Sequence, residues 1–240
     1  MKTKVLSLYC AAAALALAAA FSSCKKDDPQ DDSDSYIENG VNHGKGITLA
    51  GVTFAPVNCG TDAAHPMGLL YQWGRKDGFG YTGEANAPVF AEGPTDSPVA
   101  GTFYNVKNEP IDWKKTPDGN LWNSGSETNP VKTVNDPCPK GWRVPTGTEI
   151  GKLLSSGVSG KWNETKKGGE FSDGTSTLFL PAAGIFYYED DYGVLRGEDS
   201  RYWSSSPDGT GAFILIVSDI YLGKTDHKRA YGYPIRCVKQ

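Results

Sequence analysis

The sequence predicts an α+β domain in which short strands and long loops surround one helix. Glycine (29) and proline (15) together make up 44 of 240 residues, which disfavours a helical bundle because both break helix interiors. Hydrophobic residues reach 38% and aromatic residues 11%, too much for a disordered chain. Phe213, Leu215 and Val217 alternate with Ile214 and Ile216, so both faces of this run are apolar, as in a doubly covered strand.

The first half of the domain contains few regular elements. Residues 46–58 predict two short strands around Ala50 and Gly51, and residues 68–75 (GLLYQWGR) form an apolar, strand-like run. Residues 76–130 are rich in turn signals such as Pro-Asp-Gly and Asn-Ala-Pro. A stretch this long without regular structure is usually functional or is packed by its own aromatic side chains.

A helix is predicted directly after Pro145. Thr146 is a good N-cap, and Glu149 stands three residues later, as in a capping box. The apolar face of this helix comprises Ile150, Leu153 and Leu154, and Gly157 ends it. The later predicted strands are residues 178–186, 202–205, 212–218 and 233–239. No repeat of 20–50 residues is present, so residues 46–240 are interpreted as one domain.

The N-terminus has the pattern of a secretory signal over residues 1–23. Lys2 and Lys4 precede an apolar run, and small residues come before Cys24. A transmembrane anchor is the alternative, but this alanine-rich run is short and weakly apolar. Small residues followed by cysteine resemble the lipobox of bacterial lipoproteins, although Phe21 replaces the usual leucine. We therefore expect Cys24 to be acylated and to anchor the protein in a membrane.

Residues 24–45 are predicted to be an acidic, flexible tether, because they are poor in apolar side chains. The formal charge of the chain is −4 and becomes −6 once the two lysines of the signal are removed. A negative protein lacks the basic face that nucleic-acid binding needs. The Lys26-Asp27-Asp28 segment resembles a signal that sends some lipoproteins to the outer face of the outer membrane, so display toward the cell exterior is expected.

Four separated segments carry a resemblance to a known family. They are residues 136–149 (DPCPKGWRVPTGTE), 180–184 (LPAAG), 202–206 (YWSSS) and 233–238 (YPIRCV). In this order they resemble the Fibrobacter succinogenes major paralogous (FISUMP) domain, a branch of the C-type-lectin-like folds. The resemblance implies twisted antiparallel sheets, one or two helices, neighbouring termini and a long loop region available for recognition. It implies no assigned chemistry, and it implies core positions for Trp142 and Trp203.

Three cysteines remain after removal of the signal and acylation of Cys24. Export places them in an oxidising compartment, and an odd number leaves one thiol unpaired. Lectin-like folds often bridge the helix region to the terminal strand, so the resemblance implies a Cys138–Cys237 disulfide. Pairing of Cys59 with either of the other two remains open from the sequence.

Aromatic residues beside polar ones supply the candidate ligand site. Solvent-facing rings stack on the apolar faces of sugars, although each such residue has a core position as its simpler interpretation. The segment 187–196 is predicted to be a hairpin where lectin-like folds carry recognition loops, and it alternates rings and acidic groups. The candidate residues are Tyr187, Tyr188, Asp190, Asp191, Tyr192, Arg196, Trp113 and Trp122.

The sequence supports a metal site or an enzyme active site less well than it supports a ligand-binding site. The three histidines lack ligand spacing, and the acidic residues 189–191 and 198–199 suit calcium less well than a solvated turn. The Gly-x-Gly-x-x-Gly pattern of residues 78–83 is not followed by the helix that a dinucleotide site requires. Formylglycine-generating enzymes use paired cysteines on a related scaffold, so an enzyme using Cys138 and Cys237 is a remote alternative.

The sequence therefore predicts a non-enzymatic, lipid-anchored protein of the bacterial outer membrane that binds a glycan or a protein partner without a cofactor or metal. The alternatives are a structural subunit or tip of a surface appendage and the remote enzyme above.

Overall fold

Short antiparallel strands joined by long connections dominate the computed structural model, which describes residues 32–187 and 193–240. The strands are β1 Ser35–Glu38, β2 Val41–Lys45, β3 Ile47–Leu49, β4 Val52–Phe54, β5 Tyr71–Gln72, β6 Val89–Glu92, β7 Thr102–Asn105, β8 Trp142–Arg143, β9 Ser159–Asn163, β10 Gly168–Ser172, β11 Thr177–Pro181, β12 Ile185–Phe186, β13 Gly193–Val194, β14 Asp199–Asp208, β15 Gly211–Ser218, β16 Leu222–Lys228, β17 Gly232–Tyr233 and β18 Val238–Lys239. Among these described residues the α-helix is α1, Gly147–Gly151. The fold is α+β and mostly sheet, in agreement with the predicted class.

Strand β15 is the centre of the three-stranded sheet β14-β15-β16 and confirms the predicted doubly covered strand. Ile214 and Leu215 point to opposite faces, and both are fully buried. Ile214 belongs to one hydrophobic core, which contains Trp203, and Leu215 belongs to a second core, which contains Phe54. The sheet therefore separates two apolar layers, which explains why its central strand has no polar face.

The helix begins as the sequence predicts but is shorter. Thr146 accepts a hydrogen bond from the Glu149 backbone N–H at 3.2 Å, and the Glu149 carboxylate accepts one from the Thr146 N–H at 2.8 Å. The next turn, Lys152–Leu154, is a 3₁₀ helix. This tighter turn keeps Leu153 buried but leaves Leu154 39% exposed, so the prediction that Leu154 belongs to the apolar face is wrong.

A four-stranded sheet, in the order β3-β4-β18-β8, joins distant parts of the chain. Strands β3 and β4 form the predicted hairpin around Ala50 and Gly51, both with positive φ. The predicted strand over 233–239 is instead β17 and β18, which belong to different sheets. Pro234 lies between them and lacks the N–H that a continuous ladder would use. The predicted strand over 178–186 likewise divides into β11 and β12 near Gly184, whose φ is +77°.

Residues 35–45 form a hairpin, not the flexible tether predicted for them. Residues 35–45 were expected to be solvated, but β1 and β2 pair across a two-residue Asn39-Gly40 turn in which both residues have positive φ. This is the backbone conformation that Asn-Gly favours in tight hairpins. Tyr36 is fully buried and packs edge-on against Trp142 at 5.3 Å. The buried Tyr36 ring therefore joins this acidic segment to the core, and the ordered domain begins before residue 46.

Residues 1–31, with the predicted signal and Cys24, lie outside the described residues. In the described part of the chain, no helix combines the length and the apolarity that crossing a bilayer requires.

Candidate functional site

The predicted hairpin has its base where strands β12 and β13 pair. Ile185 lies opposite Val194, and Phe186 lies opposite Gly193. The predicted ligand residues Tyr188, Asp190, Asp191 and Tyr192, and the acidic segment 189–191, lie outside the described residues.

The two described ligand candidates of this hairpin make contacts within the fold. The Tyr187 ring packs edge-on against Tyr231 at 5.0 Å, and its hydroxyl accepts a hydrogen bond from Arg201. Arg196 forms a bidentate ion pair with Glu84, at 2.6 and 3.0 Å, and its guanidinium lies 3.6 Å from the centre of the Tyr81 ring. Both residues therefore attach the hairpin to the body of the domain.

His227 lies beside this hairpin base in a cluster of aromatic rings. Its ring centre is 4.9 Å from that of Tyr231, and Nδ1 lies 2.7 Å from the Tyr233 hydroxyl. Burial, together with the nearby positive charge of Arg201, lowers the pKa of His227 from 6.5 to about 4. The ring is therefore neutral at physiological pH and shares a hydrogen bond with the Tyr233 hydroxyl.

This depressed pKa makes stability depend on pH. Between pH 6.5 and 4 the unfolded chain binds a proton at His227 that the folded chain does not, so stability falls as the pH falls through this window. Because the ring is partly exposed, we expect a loss of about 1 to 2 kcal/mol relative to His227→Phe. Denaturant unfolding of both proteins from pH 7 to 4 measures this difference; parallel curves would contradict it.

The tryptophan candidates are buried, which agrees with the core position that the sequence offered as their simpler interpretation and not with solvent-facing sugar platforms. Trp122 is 0% exposed and Trp113 is 4% exposed. Each indole N–H donates to a backbone carbonyl, Trp113 to Trp73 at 2.6 Å and Trp122 to Arg75 at 3.0 Å. They supply the aromatic packing expected for the irregular region, and Trp113 also lines a surface cavity.

That cavity, here called the loop cleft, has a volume of about 510 Å³ and lies in the turn-rich region. Its walls combine apolar groups with charged and amide side chains. The lining residues are Gly74, Arg75, Lys76, Asp77, Pro98, Ala100, Trp113, Lys114, Leu121 and Asn135. This volume is within the range of pockets that hold small ligands.

Hydrogen bonds from Arg75 connect the chain segments around the loop cleft. Its guanidinium donates two hydrogen bonds to Asp77, at 2.9 and 2.5 Å, and one each to the carbonyls of Val99 (3.0 Å) and Thr102 (2.6 Å). It also lies over the Trp113 ring at 5.3 Å. A single buried side chain therefore ties together three segments that are far apart in sequence.

The charge of the loop cleft is opposite to that of the protein. Arg75 and Asp77 neutralise each other, which leaves Lys76 and Lys114 as the other charged lining residues. Lys76 is exposed, whereas the Lys114 side chain is 20% exposed and forms an ion pair with Asp96 at 3.1 Å, so Lys76 carries the excess positive charge of the lining. A local excess of positive charge on an acidic protein favours an anionic ligand.

Sequence reasoning missed Arg75 and Lys76 as site residues. Both follow directly on the apolar run 68–74, and the abrupt change from buried to charged residues is the signal that marks the end of an element near a surface. Lys114 follows Trp113 in the same way. No local pattern indicates that residues 75, 99 and 102 meet.

The cysteines confirm the predicted disulfide. Cys138 and Cys237 are bonded, with their Cα atoms 6.0 Å apart, and Cys59 is a buried free thiol. Among the described residues, these three cysteines are the group of potential metal ligands whose side-chain atoms approach one another within 4.8 Å. Asp199, one of the acidic residues considered for calcium, instead pairs with Arg201 at 3.3 Å.

No protein-family model, curated protein or solved structure matches this chain.

Proposed function

We propose that this protein is a lipid-anchored binding protein of a bacterial outer membrane, facing the cell exterior, whose C-type-lectin-like, FISUMP-type domain holds an acidic glycan in the loop cleft. The supporting observation is the cleft itself, in which the exposed Lys76 and the partly buried Lys114 stand beside apolar walls on a negatively charged protein. The proposed role is recognition without chemical change of the ligand.

The composition of the walls suits a saccharide that carries carboxylate or sulfate groups. Pro98, Ala100 and Leu121 offer apolar surface for the C–H faces of a sugar ring, and the Asn135 amide offers a donor and an acceptor. Lys76 and Lys114 provide charge-assisted donors for an acidic substituent. Arg75 is already engaged by Asp77 and two carbonyls, so its part is to hold the cleft in shape.

Removing both lysines should weaken binding of acidic glycans. Each charge-assisted hydrogen bond contributes about 1.5 kcal/mol or more, so the Lys76→Ala, Lys114→Ala double variant should bind at least about 100-fold more weakly. A glycan array with the purified protein identifies acidic ligands, and calorimetry with the best of them gives the dissociation constants.

The matched control is Lys152→Ala, Lys161→Ala, which removes the same charge from exposed positions outside the cleft lining. It should bind like the unmodified protein. An equal loss in both double variants would indicate a general charge effect and contradict the cleft as the site. Absence of any acidic glycan from the array hits would overturn the proposed ligand class and favour a structural role in a surface assembly.

A further inference from the structure

Three cysteine sulfurs share one buried site in the core. The Cys138–Cys237 disulfide and the free thiol of Cys59 lie with all three Sγ atoms within 4.8 Å of one another. Cys59 and Cys237 are 0% exposed, and Cys138 is 4% exposed. A free thiol held beside a disulfide is the arrangement from which thiol–disulfide exchange starts.

Two backbone hydrogen bonds to other chain segments hold Cys59 in this position. Its N–H donates to the Ile235 carbonyl at 2.9 Å, and its carbonyl accepts from the Leu69 N–H at 3.1 Å. Next to it, the Ala55 N–H donates to the Cys237 carbonyl at 2.8 Å. The chain segments that carry the thiol and the disulfide therefore run side by side, and proximity of the sulfurs does not depend on side-chain freedom alone.

A chain of hydrogen bonds links the thiol to the Cys237 sulfur of the disulfide. The Cys59 S–H donates to Glu38 Oε1 at 3.3 Å, and the Tyr36 hydroxyl donates to Glu38 Oε2 at 3.2 Å. The same Tyr36 oxygen is 3.6 Å from Cys237 Sγ. On the other side, the Tyr71 hydroxyl donates to Cys59 Sγ at 3.3 Å, which would stabilise negative charge on this sulfur.

We propose that Cys59, Glu38 and Tyr36 form an internal thiol–disulfide exchange site that acts on the Cys138–Cys237 bond. Glu38 takes the proton from Cys59, and the thiolate attacks Cys138 Sγ. A Cys59–Cys138 bond forms while the Cys138–Cys237 bond breaks, and the electron pair leaves on Cys237 Sγ. Tyr36 protonates Cys237 and recovers its proton from Glu38. One thiol and one disulfide are present before and after, so no external oxidant or reductant is needed.

Burial keeps the Cys59 thiol protonated, and therefore unreactive, for most of the time. Desolvation raises the pKa of the Cys59 thiol well above its ordinary value, and the neighbouring charge of Glu38 acts in the same direction. The thiol is therefore protonated at neutral pH, and attack requires transfer of its proton to the carboxylate. Because the thiol is inaccessible, the protein's own disulfide is its partner, and exchange corrects or relocates the bond inside the folded domain.

Disulfide mapping during oxidative refolding tests the proposal. The reduced, unfolded protein is refolded with oxidised glutathione, quenched with acid at intervals, alkylated in denaturant and digested without reduction. We expect early molecules to contain all three pairings of Cys59, Cys138 and Cys237. After folding is complete by tryptophan fluorescence, the Cys59–Cys138 form should convert to the Cys138–Cys237 form.

The Glu38→Gln variant separates base catalysis from simple proximity. Positioned bases accelerate proton transfers by about 100-fold or more, so conversion in the folded protein should slow at least tenfold, and Glu38→Asp should recover part of the rate. Cys138→Ser should form a Cys59–Cys237 bond and Cys237→Ser a Cys59–Cys138 bond, each without loss of the folded fluorescence signal. Equal conversion rates in Glu38→Gln and the unmodified protein would overturn the role of Glu38. Two free thiols in both folded serine variants would overturn the exchange site as a whole.

Discussion

Replacing Asp136 with alanine is expected to lower the free energy of unfolding by about 3 to 5 kcal/mol, the range typical of breaking a buried ion pair from one side. The Asp136 carboxylate is buried and contacts the Lys132 ammonium at 2.5 Å. It also accepts hydrogen bonds from the backbone N–H groups of Cys138 and Val144, both at 2.9 Å. Alanine would leave both amides without this acceptor in an apolar region.

Asp173→Ala is the matched control for this prediction. Its carboxylate also accepts two backbone N–H bonds, from Thr175 at 2.9 Å and Ser176 at 2.8 Å, but it lies at an exposed turn. Water replaces those bonds, so the loss should be much smaller than that of Asp136→Ala. Urea unfolding followed by tryptophan fluorescence measures both variants. Similar losses in the two would show that burial is not the source of the Asp136 contribution.

Arg75→Lys should destabilise the domain by about 2 to 4 kcal/mol and weaken ligand binding in the loop cleft, although the positive charge is retained. Lysine has no planar fork, so it cannot keep the bidentate Asp77 contact together with the carbonyls of Val99 and Thr102. The buried Arg75 also lies among the rings of Phe79, Tyr104 and Trp113, at 5.3 to 5.6 Å. An ammonium loses most of this stacking.

The control here is Arg196→Lys, which removes a bidentate pair with Glu84 whose two side chains are 40% and 31% exposed. Exposed pairs contribute about 0 to 1 kcal/mol, so its unfolding should change little. Thermal and urea unfolding report stability, and calorimetry with the array-selected glycan reports binding. An Arg75→Lys protein that is as stable and binds as well as the Arg196→Lys protein would contradict the central role of Arg75.

Local signals explain the parts of the fold that sequence reasoning predicted. The Thr146–Glu149 capping box acts over three residues, and the alternation in β15 reflects two apolar layers that meet on one strand. Both signals depend only on residues that are close together in the sequence. The Asn39-Gly40 turn is an equally local signal, but the acidic composition around it suggested a solvated tether and concealed the hairpin.

The candidate site depends on contacts that no local pattern encodes. Trp113 and Trp122 lie in a turn-rich segment, yet both are buried and donate to carbonyls of Trp73 and Arg75, 40 and 47 residues earlier. The loop cleft requires the segments around residues 75, 98 and 114 to converge. The disulfide was implied by family resemblance rather than by spacing, and proximity of Cys59 to it appears only in three dimensions.

The position of β18 has a consequence for how the chain is made. Val238 pairs with Phe54 on one side and with Arg143 on the other, so a strand that comes much later in the chain than its neighbours fills the middle of the β3-β4-β18-β8 sheet. Synthesis proceeds from the N-terminus, so the edges that flank this gap emerge from the ribosome long before the strand that fills it. Such long-range pairing delays folding. A chain that stops before β18 would keep two unpaired strand edges and an open apolar layer, and would be prone to aggregate.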